Sequence, residues 1–237
     1  NSFKRNRLSH AYLLQGQRGT GKKQIATLIA MTLFCTEKDG IEPCHQCNQC
    51  KRIFSRNHPD IHWIEPDGQS IKKEQINLLR KEFVYTSLES STRKVYIITK
   101  ADTLTVNAAN RILKFLEEPD LDITAILLTE HVHSILPTIQ SRCQILELRP
   151  LDSKSFQKQL TSLEEVTIND YNARILSALT NNIDEAIQFH TEEKIYNIRD
   201  LVLEFIYLLI SNEQDKYLYL HQKWLTLLKE KKELELS

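Results

Sequence analysis

The first 150 residues alternate short β-branched runs with longer stretches in which apolar residues recur every three or four positions. An α/β domain built on a parallel sheet produces this alternation. Five runs predict strands: Ala11 to Leu14, Ile61 to Glu65, Lys94 to Thr99, Thr124 to Thr129 and Gln144 to Leu148. Between them, Lys22 to Leu33 carries apolar residues at Ile25, Leu28, Ile29 and Leu33, and Val106 to Leu116 carries them at Ala109, Ile112, Leu113 and Leu116. Such spacing lines one buried face of a helix. Glu117-Glu118-Pro119 ends the second helix, because the residue before a proline is pushed out of the α region.

The pattern changes at Pro150. All five glycines and all six prolines lie at or before it, and residues 151–237 predict helix throughout, with Leu201, Phe205, Leu208 and Leu209 as the clearest stripe. A domain boundary is therefore expected near residue 150. The closing charged run, Lys229 to Glu235, reads as an unfinished helix. A chain of 237 residues, 41% hydrophobic and 26% charged, is long enough for two or three domains with cores of their own.

Lysine plus arginine equals aspartate plus glutamate at 31 each, so no whole-chain charge drives nonspecific nucleic-acid binding. Through residue 150 there are 21 basic against 16 acidic side chains, and after it 10 against 15. That asymmetry allows a DNA-facing first part without requiring one. The longest apolar run, Leu201 to Ile210, is broken by Glu204 and is about half the roughly 20 residues a membrane span needs. No apolar segment follows the basic residues at the N-terminus, and a soluble cytoplasmic protein is expected.

The first chemistry lies between a predicted strand and a predicted helix, in Gly16-Gln17-Arg18-Gly19-Thr20-Gly21-Lys22. Glycines let successive backbone N–H groups turn toward phosphate oxygens, the helix start adds partial positive charge, and a lysine meets the terminal phosphates. Gly16, Gly19, Gly21 and Lys22 supply these parts. The next residue of a working loop is a serine or threonine whose hydroxyl holds Mg²⁺, and here it is Lys23. A working site also needs an acid at the end of a neighbouring strand, yet Val95-Tyr96-Ile97-Ile98 runs into Thr99-Lys100. Asp102, three residues past the position the acid should hold, is a poor substitute.

The second chemistry is a cluster of four of the five cysteines. Cys35, Cys44, Cys47 and Cys50 fall within sixteen residues, the last three in a loop-like stretch after Pro43. Four thiolates suit a closed tetrahedral structural Zn²⁺ site. An iron–sulfur cluster is the rival, although the Cys-Pro step of ferredoxin runs is missing. His45 follows Cys44 directly and is expected to point to solvent. Cys143 is distant and is expected to be a small core residue.

Four stretches together resemble the clamp-loader ATPases of the AAA+ class, which load sliding clamps for bacterial DNA polymerase III. They are Arg7-Leu8-Ser9-His10-Ala11-Tyr12-Leu13-Leu14 leading into the phosphate loop, the cysteine cluster inserted after the first helix, Ala108 through Glu117-Glu118-Pro119, and Leu136-Pro137-Thr138-Ile139-Gln140-Ser141-Arg142-Cys143. They span nearly all of the first 150 residues. The resemblance implies an α/β fold with an AAA+ (RecA-like) parallel sheet, helices on both faces and a zinc-binding insertion at 35–50. It also implies a three-helix lid at 151–192 and, at 193–237, the start of a helical collar through which subunits form a ring.

In this family the serine-arginine-cysteine motif carries an arginine finger that reaches the ATP of an adjacent subunit, which makes Arg142 the expected finger. Active members carry catalytic acids at the positions of Thr99 and Lys100, and a sensing arginine near Asp184. This chain departs at both places and at Lys23, so the resemblance implies the non-hydrolysing member of the family. ATP and Mg²⁺ are then expected only at the neighbouring subunit's site. The implied partners are the motor (gamma/tau) subunits, the delta subunit, the sliding clamp and primed DNA held by the ring. Two rivals stay open: an active motor-type ATPase using Asp102, and a zinc-organised nucleic-acid-binding module.

Overall fold

The computed structural model describes residues 9–78, 93–117, 123–163, 166–192 and 194–210. Two compact units divide the chain at Leu151, Asn1–Leu151 and Asp152–Ser237.

In the first unit, β1 (Ala11–Gln15), β2 (Ile61–Ile64), β3 (Lys94–Ile98), β4 (Ile123–Thr129) and β5 (Gln144–Glu147) form one parallel sheet in the order β2-β3-β4-β1-β5. Each predicted strand is present, with ends shifted by a residue. The three central strands are buried on both faces, which is why they read as continuous apolar runs, whereas the edge strand β5 alternates between half-buried and exposed positions.

Successive strand residues point to opposite faces, and this divides the core in two. Leu13, Tyr96, Ile98, Ala125 and Leu127 face the helix Val106–Glu117 through Ala108, Ala109, Ile112 and Leu116. Tyr12, Leu14, Val95, Ile97, Ile126 and Leu128 face α1 (Lys22–Phe34) and the short α2 (Asn48–Phe54). We label Val106–Glu117 α3 and the four-residue helix Pro137–Gln140 α4. Ile112 is fully enclosed. Ile112→Ala is expected to destabilise this unit by about 2–5 kcal/mol, seen as a lower urea midpoint.

The buried face of α1 differs from the expected one. Ala26, Ile29, Ala30, Met31, Leu33 and Phe34 are buried, while Ile25 is half-buried and Leu28 is 42% exposed. Alanines carry no weight in an apolar-periodicity reading, yet close approach of helix to sheet selects small residues. On α3 the expected face holds, with Ala109, Ile112 and Leu116 buried and Leu113 packed beside them.

In the second unit the described residues form helices only: α5 (Ser153–Thr161), α6 (Asp170–Leu179), α7 (Ile183–Thr191) and α8 (Lys194–Ile210). Asp152, Asn169 and Asn182 cap the first three by accepting backbone N–H bonds of 3.0, 2.7 and 3.0 Å. Phe156, Leu160, Ile168, Ala173, Leu176 and Ala186 form the core of this unit. On α8, Leu201, Phe205 and Leu208 are half-buried and Leu209 is exposed, so the expected stripe is narrower by one residue. The charged run Lys229 to Glu235, like Arg7, Leu8, Glu118 and Pro119, lies outside the described residues. Among those described, no helix is long and apolar enough to cross a membrane.

Candidate functional site

Strand β1 lies between β4 and β5, so the chain leaving it enters the crevice where the sheet order reverses, at the carboxyl ends of the strands. The loop after β1 is shaped by its glycines. Gly19 and Gly21 have φ of 84° and 74°, the left-handed region that glycine adopts without strain, and Gly21 caps α1. A Cβ on Gly16 would stand 2.6 Å from Thr20 Oγ1 and 2.7 Å from the Leu148 carbonyl oxygen, so only glycine fits there. The result is a tight strand-to-helix turn with a helix N-terminus behind it, the frame of a phosphate loop.

Lys22 is folded onto that loop. Its ammonium donates to the carbonyls of Gly16 at 2.6 Å and Gln17 at 2.7 Å, and Glu130 Oε1 lies 3.7 Å away. Burial lowers the Lys22 pKa from its ordinary value, while the carboxylates of Glu130 and Asp102 oppose that shift.

The neighbouring strand ends explain what became of the missing acid. Thr99 is buried, and its hydroxyl donates to the Ile64 carbonyl at 3.2 Å. Lys100 is exposed in a left-handed conformation that opens the 3-10 turn Ala101–Thr103. This turn swings Asp102 back toward the crevice, where Asp102 Oδ1 accepts the Thr129 hydroxyl at 3.1 Å and contributes to the field at Lys22. The spacing along the chain suggested that Asp102 stood too far on; the fold brings it to the site. Lys23, where a metal-binding hydroxyl belongs, pairs instead with Glu65 at 3.2 Å, and Arg56 reaches the same carboxylate at 3.7 Å.

Glu130 was not singled out in the sequence, although a signal existed. It is the first residue after a predicted strand, at the carboxyl end where ligands of open α/β sheets bind.

The four-cysteine cluster lies beside the same core. The Sγ atoms of Cys35, Cys44, Cys47 and Cys50 lie within 4.8 Å of one another. A metal with S ligands at about 2.3 Å in a tetrahedron sets sulfur–sulfur edges of about 3.8 Å, so the cluster fits a metal ion of that geometry. Backbone N–H groups of Cys44, Cys47 and Cys50 point at the sulfurs of Cys35, Cys44 and Cys47 at 3.3, 3.2 and 3.5 Å, donors that favour thiolates and fix their directions.

Burial works against ionising Cys47, but N–H groups of Cys50 and Thr36 outweigh it and bring its pKa down to about 6. Burial and the thiol contacts to Cys47 and Cys35 push Cys50 up to about 12. Cys47 caps α2 and Cys50 lies in its first turn, so the expected loop is partly helical. His45 is exposed, as anticipated from its place next to Cys44. Cys143 packs against the α3 side of the core, and burial pushes its thiol up to about 12.

Arg142 lies in the turn between α4 and β5. In this chain its guanidinium bonds the Thr138 carbonyl at 2.9 Å and pairs with Glu117 at 3.0 Å. The parallel register sets Gln144 opposite Tyr12 and Glu147 opposite Gln15. Arg142 precedes β5 and the phosphate loop follows β1, so the two lie at opposite ends of neighbouring parallel strands. At about 3.3 Å of rise per residue the separation is roughly 15 Å, more than an arginine side chain spans.

The sheet order and the glycine loop at its switch point define the AAA+ class of ATPase fold. The chain resembles a DNA polymerase III gamma subunit-related protein of Thermotoga maritima with a TM-score of 0.53 at 20% identity, covering 90% of this chain and 66% of that one. A RuvB Holliday junction branch migration motor of Thermotoga maritima gives 0.50 at 20% identity, covering 93% and 64%. At that identity the likeness concerns the fold alone.

Sequence is more specific. A profile of the family described as "DNA polymerase III, delta subunit" matches residues 1–152. DNA polymerase III subunit delta′ of Bacillus subtilis is 44% identical over all 237 residues, which cover 70% of that protein. Subunit tau of the same organism is 30% identical over 215 residues, 86% of this chain and 37% of tau. Delta′ of Pseudomonas aeruginosa is 36% identical over 137 residues, 57% of this chain and 42% of that protein. The chain belongs to the DNA polymerase III delta′ family.

Proposed function

We propose that this chain is a non-hydrolysing clamp-loader subunit of DNA polymerase III, working in the cytoplasm at the nucleoid. In DNA replication it lends Arg142 to the ATP site of a neighbouring motor (gamma/tau) subunit while the ring loads the sliding clamp onto primed DNA. The delta subunit completes that ring. ATP and Mg²⁺ belong to the neighbour's site, and Cys35, Cys44, Cys47 and Cys50 hold a structural Zn²⁺. Residues 151–192 act as the lid, and 193–237 begin the collar.

The supporting observation is the position of Arg142 at the amino ends of the strands, while its own phosphate loop lies at their carboxyl ends, too far away for the guanidinium to serve that loop. The Glu117 pair does not argue against a finger. Both side chains are partly in solvent, 36% and 49% exposed, so exchanging that partner for a phosphate costs at most about 1 kcal/mol. A guanidinium delivered to a transferring phosphoryl group lowers the barrier by roughly 4–7 kcal/mol. The phosphoryl contact is the stronger of the two in the transition state, which is where a finger acts.

One observation favours the rival of an active motor-type ATPase: Asp102 reaches the crevice. Against it, Thr99 has no carboxylate to offer and Lys23 puts a cation where the metal-binding hydroxyl belongs. The isolated full chain is expected to show no Mg²⁺-dependent ATP turnover. Adding it to motor and delta subunits is expected to raise their DNA- and clamp-stimulated ATPase. Turnover by the purified chain alone would overturn the reading.

A further inference from the structure

We propose that Glu130 is a built-in anion for the phosphate loop, a carboxylate held against Lys22 so that this chain's own crevice discriminates against nucleotide phosphates. The inference rests on the reading of residues 16–22 as a phosphate loop and is independent of the role given to Arg142.

The geometry accounts for two of the lysine's hydrogen bonds and gives its charge a carboxylate neighbour. An ammonium has three N–H donors, two of which are spent on the carbonyls of Gly16 and Gln17. Glu130 Oε1 lies 3.7 Å from the ammonium, an ion-pair distance. Lys22 is only 13% exposed, so water screens this attraction less than it would a surface pair, even though Glu130 itself is 40% exposed.

The backbone that carries this carboxylate is fixed. Glu130 follows β4, the strand between β1 and β3, and the next turn is pinned by the His131 N–H donating to Thr129 Oγ1 at 3.1 Å. The Thr129 hydroxyl in turn donates to Asp102, which places a second carboxylate near the same ammonium. A phosphate entering the loop would have to displace Glu130 from Lys22 and then sit beside two negative charges. The nucleotide selectivity of this chain is therefore set by residues after β3 and β4 as well as by the loss of the metal-binding hydroxyl at position 23.

Binding of a fluorescent ATP analogue to the isolated full chain, with Mg²⁺ and with EDTA, tests this. Glu130→Gln keeps the shape and removes the charge, and is expected to tighten binding at least tenfold, about 1.4 kcal/mol. The gain should vanish in the double variant Glu130→Gln, Lys22→Ala, while the far-ultraviolet circular dichroism spectra of both variants stay superimposable on that of the unmodified chain. An affinity within twofold of the unmodified chain, a gain that survives loss of Lys22, or weaker binding with Mg²⁺, as a metal-assisting carboxylate would give, overturns the proposal. ATP turnover by the unmodified chain would instead sink the non-hydrolysing reading and leave this comparison of affinities intact.

Discussion

Arg142→Ala is expected to slow ATP turnover at the one neighbouring site it serves by about 10³ to 10⁵, and to leave the ring assembled. The factor follows from the charge that a guanidinium supplies to a transferring phosphoryl group in a site that excludes water, roughly 4–7 kcal/mol of barrier. In a ring with several sites the steady-state readout is loss of whatever stimulation follows from adding this chain. DNA- and clamp-stimulated ATPase should fall to the level of motor and delta subunits alone, with an unchanged elution volume.

Arg142→Lys should restore little, because an ammonium lacks the planar fork that meets two phosphate oxygens at once. Glu117→Gln separates the finger from the surface pair. It removes only the charge that Glu117 sets against Arg142, and should change stability by under about 1 kcal/mol and leave the stimulated rate in place. Full stimulation by an assembled ring carrying Arg142→Ala would refute the assignment.

The second large effect is expected at the cysteine cluster. Zinc bound by four thiolates contributes on the order of 10 kcal/mol to local folding. The cluster is not an appendage: Cys35, Cys50 and Ile53 are buried in the same core as Tyr12, Leu14, Val95 and Ile97 of the sheet. Disorder there is felt by the strands that carry the phosphate loop. If a third of the binding energy is transmitted, about 3 kcal/mol, the melting temperature falls by roughly 6–12 °C for a chain of this size.

Cys50→Ser, or a strong chelator, should produce that drop, and the unmodified protein should carry one zinc per chain by atomic emission. Cys143→Ser serves as the comparison, since that thiol lies outside the cluster and should leave the zinc content at one. A metal-free protein with an unshifted melting curve would leave the four thiols as mere core residues.

These effects differ in how far they can be foreseen from the chain. The strands, α1, α3, the phosphate loop and the cysteine cluster were legible because each depends on neighbours within about twenty residues: alternation, helical spacing, glycine conformations and ligand spacing. The faces were less legible. Leu28 is exposed while Ala26 and Ala30 are buried, because the closeness of helix and sheet, which no local count of apolar residues contains, decides which side chains fit.

The sequence by itself determined that the chain has a glycine loop without its metal-binding hydroxyl or strand-end acid, four cysteines spaced for one metal, and a resemblance that singles out Arg142. Tertiary structure alone decided the strand order β2-β3-β4-β1-β5, and with it two facts about charge. It gathers Lys22, Asp102 and Glu130, which follow three separate strands, at the carboxyl ends of the sheet, and it sets Arg142 at the amino ends. Electrostatic contact depends on distance through space, and in a parallel sheet that distance is fixed by which strands pair and in what register, not by position along the chain.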